Sequence, residues 1–369
     1  MRLLRSIFTI LALCGCSRPP SWTSPIKKCL YTVYTSFVLI MVHSLVISQI
    51  LDIAFNVDNQ DDFSENFYLT LGVFISCCKL CTLLLHRDNY ATMVQTLQKE
   101  PFSPTNTDEF EILARFEKWA EWNTIVYTIL LESCVTWMIA TSFFTDYKRH
   151  RLPYRAWVPY NYSSSFLFTI TYTHQTISIA ICAVLNIACD SLFSGLLIHT
   201  YCQFEILRHR FKHILENENL SAKHCAHHHD HIYKFATMVN KEFETIVLLQ
   251  FLVSMSILCF DLYRFLQTEQ RTKLMEMILY AICTLMQILY YCWYGNEVRV
   301  KSLEIPDMII DSNWVSLDNN ARKIFLMIMK RALVPIEFSS VHLVPVDLNS
   351  FKVILKTSYS AFSMLQQRS

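Results

Sequence analysis

Charged residues and glycine are both scarce in this chain of 369 residues. Only 17% of the residues are charged, against roughly 25% in an average soluble domain, so there are too few charges to cover a globule in water. The four glycines argue against a fold rich in β-turns and loops. Walker, Rossmann, serine-hydrolase and zincin motifs do not occur, and nothing indicates nucleic-acid binding. These absences exclude the common classes of soluble enzyme.

Long hydrophobic runs are what the chain has instead, with 53% of its residues hydrophobic. A helix needs roughly 20 apolar residues to cross a bilayer. Backbone groups in lipid must bond within the chain, so runs of this length are helices. Six stretches approach that length: Tyr31–Leu51, Phe67–Leu85, Thr124–Phe144, Phe166–Leu197, Ile246–Phe265 and Leu274–Trp293. With Phe351–Gln366, which is shorter and more polar, they predict an all-α, polytopic membrane protein with seven transmembrane helices.

The positions of lysine and arginine predict how the helices are oriented. With the N-terminus inside, the inner segments hold 21 basic residues and the outer loops hold seven. Basic residues are retained on the cytoplasmic side, so we expect the N-terminus inside and the C-terminus outside. Four bases in the outer loop 145–165 run against this rule. Asn161 begins an Asn-x-Ser sequon in the same loop, and we expect it to be a glycosylation site.

The fourteen cysteines could suggest a disulfide framework. None lies in the three predicted outer loops, and nine lie inside predicted spans, where cysteine behaves as a small apolar residue. The others are predicted to face the reducing cytosol. We therefore expect no structural disulfide.

Apolar residues at helical spacing continue beyond two of the spans, over Thr107–Trp122 and Tyr201–Glu218. We expect cytosolic helices that extend these spans. Met1–Cys16 has the outline of a signal peptide, but its apolar run is short and the first span follows closely. We expect a retained segment at the membrane interface.

Seven of the thirteen histidines are concentrated in the predicted cytosolic loop 200–245. His209 and His213 have the spacing HxxxH, and His224–His228 reads HxxHH. These are two of the three histidine boxes of membrane di-iron desaturases and hydroxylases, and imidazole suits iron. The remaining histidines form no third box. We expect a solvated loop with no metal and no cofactor, and we keep a His-box enzyme as a less favoured alternative.

Polar and aromatic residues inside the spans indicate a pocket. Polar groups in lipid are costly and normally face a cavity or the bundle interior, although simple bonding between helices is the plainer explanation. Aromatic walls with a few hydroxyl and amide groups suit a small apolar ligand. We place the pocket in the outer half, between the second, third, fourth and sixth spans. The candidate ligand-binding residues are Phe74, Thr136, Trp137, Tyr172, Gln175, Thr176, Met277 and Tyr280.

The last span mixes polar and apolar residues along its whole length. A polar helix can line water when several copies surround one axis, so this interpretation requires an oligomer. Residues at i, i+3 and i+4 share a helix face. The candidate pore residues on that spacing are Tyr359, Phe362, Ser363 and Gln366.

Seven spans also occur in G-protein-coupled receptors. That class has its N-terminus outside, opposite to the charge distribution here. Its Asp-Arg-Tyr and Asn-Pro-x-x-Tyr motifs are absent from this sequence. We do not favour that class.

Several strings resemble the insect odorant receptors, over a stretch from the first span to Leu365. The strings are Arg151–Tyr160 (RLPYRAWVPY) in the outer loop, Tyr172-x-x-Gln175 in the fourth span, Tyr294–Glu297 (YGNE) at the end of the sixth, Arg331-Ala332-x-x-Pro335 before the last, and Phe351–Ser360 (FKVILKTSYS) within it. The final string is the most specific of them.

The resemblance implies a tetrameric, odour-gated, non-selective cation channel in the plasma membrane of olfactory sensory neurons. In that family a ligand-specific subunit binds small volatile molecules and assembles with a shared co-receptor into a heterotetramer, through cytosolic helices. The last helix lines the pore, which puts Phe362 nearest to a constriction. Gustatory receptors share the fold, and a channel of that kind is the alternative. Their Thr-Tyr…Gln-Phe string is absent here.

The resemblance and the spans together divide the chain into four segments. They are a cytosolic or interfacial segment (1–30), the first six spans with the ligand pocket and the helical extensions (31–317), a cytosolic anchor helix (318–340) and the pore-lining seventh span (341–369).

Overall fold

The computed structural model describes residues 4–19, 21–57, 60–214, 221–312, 314–341 and 343–368. Its helices are α1 (Arg5–Leu13), α2 (Pro25–Asn56), α3 (Gln60–Leu85), α4 (Arg87–Thr96), α5 (Thr107–Thr145), α6 (Ser165–Lys212), α7 (Ala222–Gln267), α8 (Arg271–Leu303), α9 (Ile305–Ile310), α10 (Asn319–Ala332) and α11 (Leu348–Arg368). Two-residue strands β1 (Ser339–Ser340) and β2 (Val344–Pro345) pair antiparallel just before α11. The chain is therefore almost entirely helical where it is described.

Six of these helices are long and apolar enough to cross a membrane: α2, α3, α5, α6, α7 and α8. They contain the six apolar stretches found in the sequence. The helix α11 has 21 residues and a much lower mean hydropathy, in line with its mixed sequence. The predicted contrast between six apolar spans and one polar final span is confirmed.

The helix α6 lies at the centre of the bundle. Its most apolar window is 83% buried, and it packs against α5, α8, α7, α3, α1 and α2. Small residues let neighbouring helices approach closely in a membrane. A Cβ added at Gly195 would lie 3.0 Å from the side chains of both Leu4 and Ile7. The N-terminal helix α1 therefore packs directly on the central helix.

Long helices begin where the sequence supplies a capping side chain. The Asn106 side chain accepts a hydrogen bond from the Glu109 amide at the start of α5, at 2.9 Å. Ser164 caps α6, Ser221 caps α7 and Asp318 caps α10 in the same way. Such caps satisfy amides that have no partner in the first turn of a helix. They fix where these four helices begin.

The predicted cytosolic extensions are continuous with the spans. The third span and Thr107–Trp122 form the single 39-residue helix α5, and α6 runs on to Lys212. The last residues of the predicted helix Tyr201–Glu218 lie outside the described residues. The start of α5, the end of α6 and the start of α7 pack with α4, α9 and α10, and we call this part of the structure the extension layer. The predicted anchor helix is α10, which buries its apolar face in this layer.

All fourteen cysteines lie in the described part of the chain, and each is a free thiol.

Candidate ligand-binding site

A cavity of about 90 Å³ lies inside the bundle between α3, α5, α6 and α8, and Gln250 and Ile257 of α7 close one side. Most of its wall is apolar. Since roughly 10–15 Å³ is enough for one water molecule, this volume matches a small organic molecule. The helices around it are those between which the sequence analysis places the pocket.

Gly72 lets an aromatic side chain reach the wall of the cavity. A Cβ added at this position would lie only 2.3 Å from the Tyr280 hydroxyl. Tyr280 also packs edge-on against Tyr68, with ring centroids 5.7 Å apart. The absence of a side chain at Gly72 therefore fixes where Tyr280 stands in the cavity.

A buried polar network lies next to the cavity. The Lys79 ammonium donates to the Asp190 carboxylate at 2.5 Å and to the Asn186 carbonyl oxygen at 2.8 Å. Tyr127 of α5 and Tyr291 of α8 donate to the same carboxylate, at 2.7 and 2.5 Å. A charged pair in a low-dielectric interior is favourable only when further hydrogen bonds satisfy it, and these bonds do so. The network joins α3, α5, α6 and α8 around one carboxylate.

Asn186 connects this network to the cavity wall. Its amide nitrogen donates to the Ser76 hydroxyl at 2.9 Å and to the Cys182 carbonyl at 3.0 Å. Asn186, Ser76 and Cys182 all line the cavity. A single hydrogen bond, from the Lys79 ammonium to Asn186, therefore connects the charged pair to the cavity wall.

A second and larger space of about 620 Å³ lies between the cavity and the outer loop. Leu69 and Met138 line both spaces and separate them. We call this space the vestibule. Its wall is polar and carries basic and acidic side chains: Arg149, Arg151, Arg155, Arg264, Lys273, Asp146 and Glu276.

One of the bases that run against the charge rule has acidic partners in the structure. Arg155 pairs with Asp62 at 2.5 Å and lies 3.6 Å from Asp52. Both acids come from the outer ends of α2 and α3. Arg155 therefore ties this loop to α2 and α3 at the edge of a polar space.

The predicted ligand-binding residues occupy several different environments. Tyr280 lines the cavity, and Met277 lines the vestibule and a space between α7, α8 and α11. Tyr172 and Gln175 are buried beneath the outer loop, where Tyr172 donates to Ser142 at 3.2 Å and Gln175 accepts from the Tyr154 amide at 3.2 Å. The other four do not line the cavity; Phe74, Thr136 and Trp137 are on the exposed surface and Thr176 is half-buried.

Sequence reasoning missed the charged pair beside the cavity and a buried amide in its wall. Lys79 and Asp190 are charged residues inside apolar spans, and such residues mark functional interiors by default. That signal was available in the sequence. The amide of Gln250 in the fifth span was available in the same way.

The candidate pore residues lie on two sides of α11. Tyr359 and Gln366 are exposed, Ser363 is half-buried, and Phe362 packs with Cys259 and Tyr263 of α7. Ser358 donates to the Met255 carbonyl at 3.2 Å on the same packed side. The side of α11 that carries Tyr359 is not covered by the other described residues of the chain.

The histidine run is not a solvated loop, and that expectation is wrong. His224–His231 forms the first turns of α7, with His228 and His229 buried in the extension layer. The expectation failed because a helix begins at this point, capped by Ser221. The helix directs the side chains of His228 and His229 into the core. No group of His, Cys, Asp or Glu among the residues that the structure covers could hold a metal ion.

His228 belongs to a second buried network in the extension layer. The Arg210 guanidinium donates to both carboxylate oxygens of Glu109 at 2.9 Å and to His228 Nδ1 at 3.0 Å. Arginine has no acceptor, so Nδ1 accepts and Nε2 carries the proton that goes to the Gln203 oxygen, at 2.9 Å. Burial, with Arg210 and neighbouring histidines, holds the pKa of His228 well below its ordinary value. The imidazole is neutral.

A sequence model of the family described as 7tm Odorant receptor matches residues 59–359. The chain belongs to the 7tm odorant receptor family. Its members are receptor channels and not enzymes, so the His-box alternative is set aside. This family membership makes the chain a multi-pass membrane protein.

Relatives and solved structures of odorant receptors cover nearly the whole chain. Odorant receptor 46a, isoform A, of Drosophila melanogaster is 24% identical over 299 residues, 78% of each chain. Odorant receptor Or1 of Anopheles gambiae is 22% identical over 386 residues, 94% of this chain and 91% of the relative. The insect olfactory receptor OR5 from Machilis hrabei in complex with eugenol matches with a TM-score of 0.88 at 16% identity, over 99% of this chain and 97% of that one. The predicted all-α, seven-span fold is confirmed.

Proposed function

We propose that this odorant receptor is the ligand-specific subunit of an odour-gated, non-selective cation channel. It binds a small volatile molecule in the cavity between α3, α5, α6, α7 and α8. It works in the plasma membrane of olfactory sensory neurons, assembled with the odorant receptor co-receptor in a heterotetramer. The observation that carries this proposal is a small, mostly apolar cavity inside a fold of this family.

The cavity has the properties that a volatile ligand requires. An apolar ligand gains mainly from burial, at roughly 25 cal/mol per Å², and the mostly apolar wall of the cavity supplies that burial. Ligand binding opens a channel only through different affinities for the closed and open states. The network around Asp190 adjoins the cavity and joins four helices, so it supports a coupling of this kind.

Exposed apolar residues outside the spans support assembly with other subunits. Leu326 and Met327 of α10 and Leu333 directly after it are 53%, 71% and 71% exposed at the extension layer. Such a patch on a surface that faces water marks an interaction site. We propose that it contacts the co-receptor, and that the exposed side of α11 borders the pore in the tetramer.

We propose the following roles for the residues that the sequence analysis selected. Tyr280 contacts the ligand directly. Tyr172, Gln175 and Met277 shape the region between the cavity and the loop 145–165. Phe74, Thr136, Trp137 and Thr176 affect ligand binding indirectly, through the packing of the helices around the cavity. Tyr359, Ser363 and Gln366 face the pore, Phe362 borders it, and Asn161 carries a glycan outside.

Expression with and without the co-receptor tests the proposal. Cells that express both subunits should give inward cation current when a panel of volatile molecules is applied, and cells with either subunit alone serve as controls. Volatile-evoked current that is absent from all combinations, with both subunits at the surface, would contradict the proposed function.

A further inference from the structure

One polar atom in the cavity wall has no partner. The side chain of Gln250 is 1% exposed, and its Oε1 has no hydrogen-bond partner among the residues that the structure describes. Its amide nitrogen is fully used, since it donates to the Ser254 hydroxyl at 2.8 Å and to the Gln287 oxygen at 3.1 Å. The two hydrogen bonds of the nitrogen hold the side-chain amide of Gln250 in place, and its oxygen remains available to accept a hydrogen bond.

Three other polar side chains of the cavity already make hydrogen bonds. Thr284 donates to the Tyr280 carbonyl at 3.0 Å, and Ser76 donates to the Gly72 carbonyl at 2.8 Å while it accepts from Asn186. The carbonyl oxygen of Asn186 accepts from Lys79. Gln250 Oε1 is the buried acceptor of this wall that lacks a donor among the residues that the structure describes. A buried acceptor without a donor is costly, and a ligand that brings a donor removes that cost.

We propose that the cavity selects small, mostly apolar alcohols or phenols, whose hydroxyl donates to Gln250 Oε1. This rests on the proposed function, because it names the ligand class of the same cavity. The apolar wall, which includes Ile257 and Val73, buries the hydrocarbon part of the ligand. An ether of the same size gains the same burial but has no donor. It leaves the acceptor unpaired.

Isomer pairs separate the donor from size and hydrophobicity. Benzyl alcohol and anisole contain the same atoms, as do hexan-1-ol and dipropyl ether, and in each pair only the alcohol donates. Each compound is titrated against the purified full-length protein by thermal shift, and against cells with the co-receptor by current. The alcohol of at least one pair should bind about tenfold more tightly than its ether, the size expected for one buried hydrogen bond.

A matched pair of variants identifies the residue. Gln250→Met keeps the length of the side chain and removes the acceptor, so the preference for alcohol should fall to about twofold or less. Thr284→Val removes a hydroxyl from the same cavity whose bond is internal to α8, so the preference should remain. Because the comparison within the unsubstituted protein needs no variant, the test holds even where Gln250→Met folds poorly.

Three outcomes would overturn the inference: an ether that binds as tightly as its alcohol in both pairs, a preference that survives in well-folded Gln250→Met, or hydrocarbons that bind where no alcohol does. Failure of the proposed function is distinct from these outcomes. It would appear as thermal shifts with alcohols but no current from the assembled channel.

Discussion

The ammonium of Lys79 in α3 and the carboxylate of Asp190 in α6 are 2.5 Å apart, and both side chains are fully buried. Removal of one partner leaves an unpaired charge in a low-dielectric interior, which costs about 3–5 kcal/mol. We expect Lys79→Ala and Asp190→Ala each to lower the melting temperature of the purified protein and its surface expression strongly. Fluorescence-detected thermal unfolding and surface labelling measure both effects.

The double variant Lys79→Met/Asp190→Leu should be less harmful than the sum of the two single variants, because it buries no unpaired charge. The exposed Lys241 provides a control. Lys241→Ala should change stability by less than about 0.5 kcal/mol. Single variants at Lys79 and Asp190 that behave like this control would show that the pair contributes no stability.

Gly72→Ala should alter ligand sensitivity and leave expression intact. The new Cβ would lie 2.3 Å from the Tyr280 hydroxyl, so the phenol ring has to move within the cavity. The atom displaced is the far end of a side chain, so we expect a modest stability cost, on the order of 1–3 kcal/mol. Dose–response curves for a series of volatiles measure the effect. Unchanged potency and rank order would mean that Tyr280 does not contact the ligand.

His228→Ala should destabilise the protein by about 1–3 kcal/mol, because it removes the acceptor of one Arg210 N–H and the donor to the buried Gln203 oxygen. His227 is its neighbour in the sequence and is exposed. His227→Ala should therefore behave like the unsubstituted protein. The melting temperatures of the two variants, measured in one detergent, make the comparison. Equal values would show that the histidine run is solvated after all.

Stability should fall as the pH is lowered below about 6.5, the ordinary pKa of histidine. Burial and Arg331 lower the pKa of His229 to about 4, so below about pH 6.5 the unfolded chain takes up a proton that the folded chain does not. The loss should continue down to about pH 4, at up to about 1.4 kcal/mol per pH unit for this group. His229→Phe should flatten the pH dependence of the melting temperature, and His227→Ala should leave it unchanged.

Cysteine substitution tests the exposed side of α11. If Tyr359, Ser363 and Gln366 face the pore, charged thiol reagents should block current in Tyr359→Cys, Ser363→Cys and Gln366→Cys more readily when the ligand is present. Met364 is 70% exposed on another side of the helix, so Met364→Cys serves as a control that should not be blocked. Block at Met364→Cys but at none of the three would place the pore on the other side of α11.

The sequence predicts elements better than it predicts contacts. Hydrophobic runs give the seven spans, and helical spacing gives the extensions, because both depend on residues close together in the chain. The cavity wall depends on which sides of five helices meet, and the sequence does not state their rotations. Trp137 shows this: it lies in the expected helix at the expected depth, yet its side chain is exposed. The histidine run failed for a similar reason, since a capping serine buried two residues that composition placed in water.

The close contact at Gly295 has a mechanical consequence. A Cβ at this position would lie 2.3 Å from the carbonyl oxygen of Val346, two residues before α11 begins. The same helix, α8, lines the cavity with Tyr280 and Thr284. Because its backbone lies against the backbone that leads into α11, there is no intervening side chain to absorb a small displacement. We therefore expect a rotation of α8 to displace the start of the final helix directly.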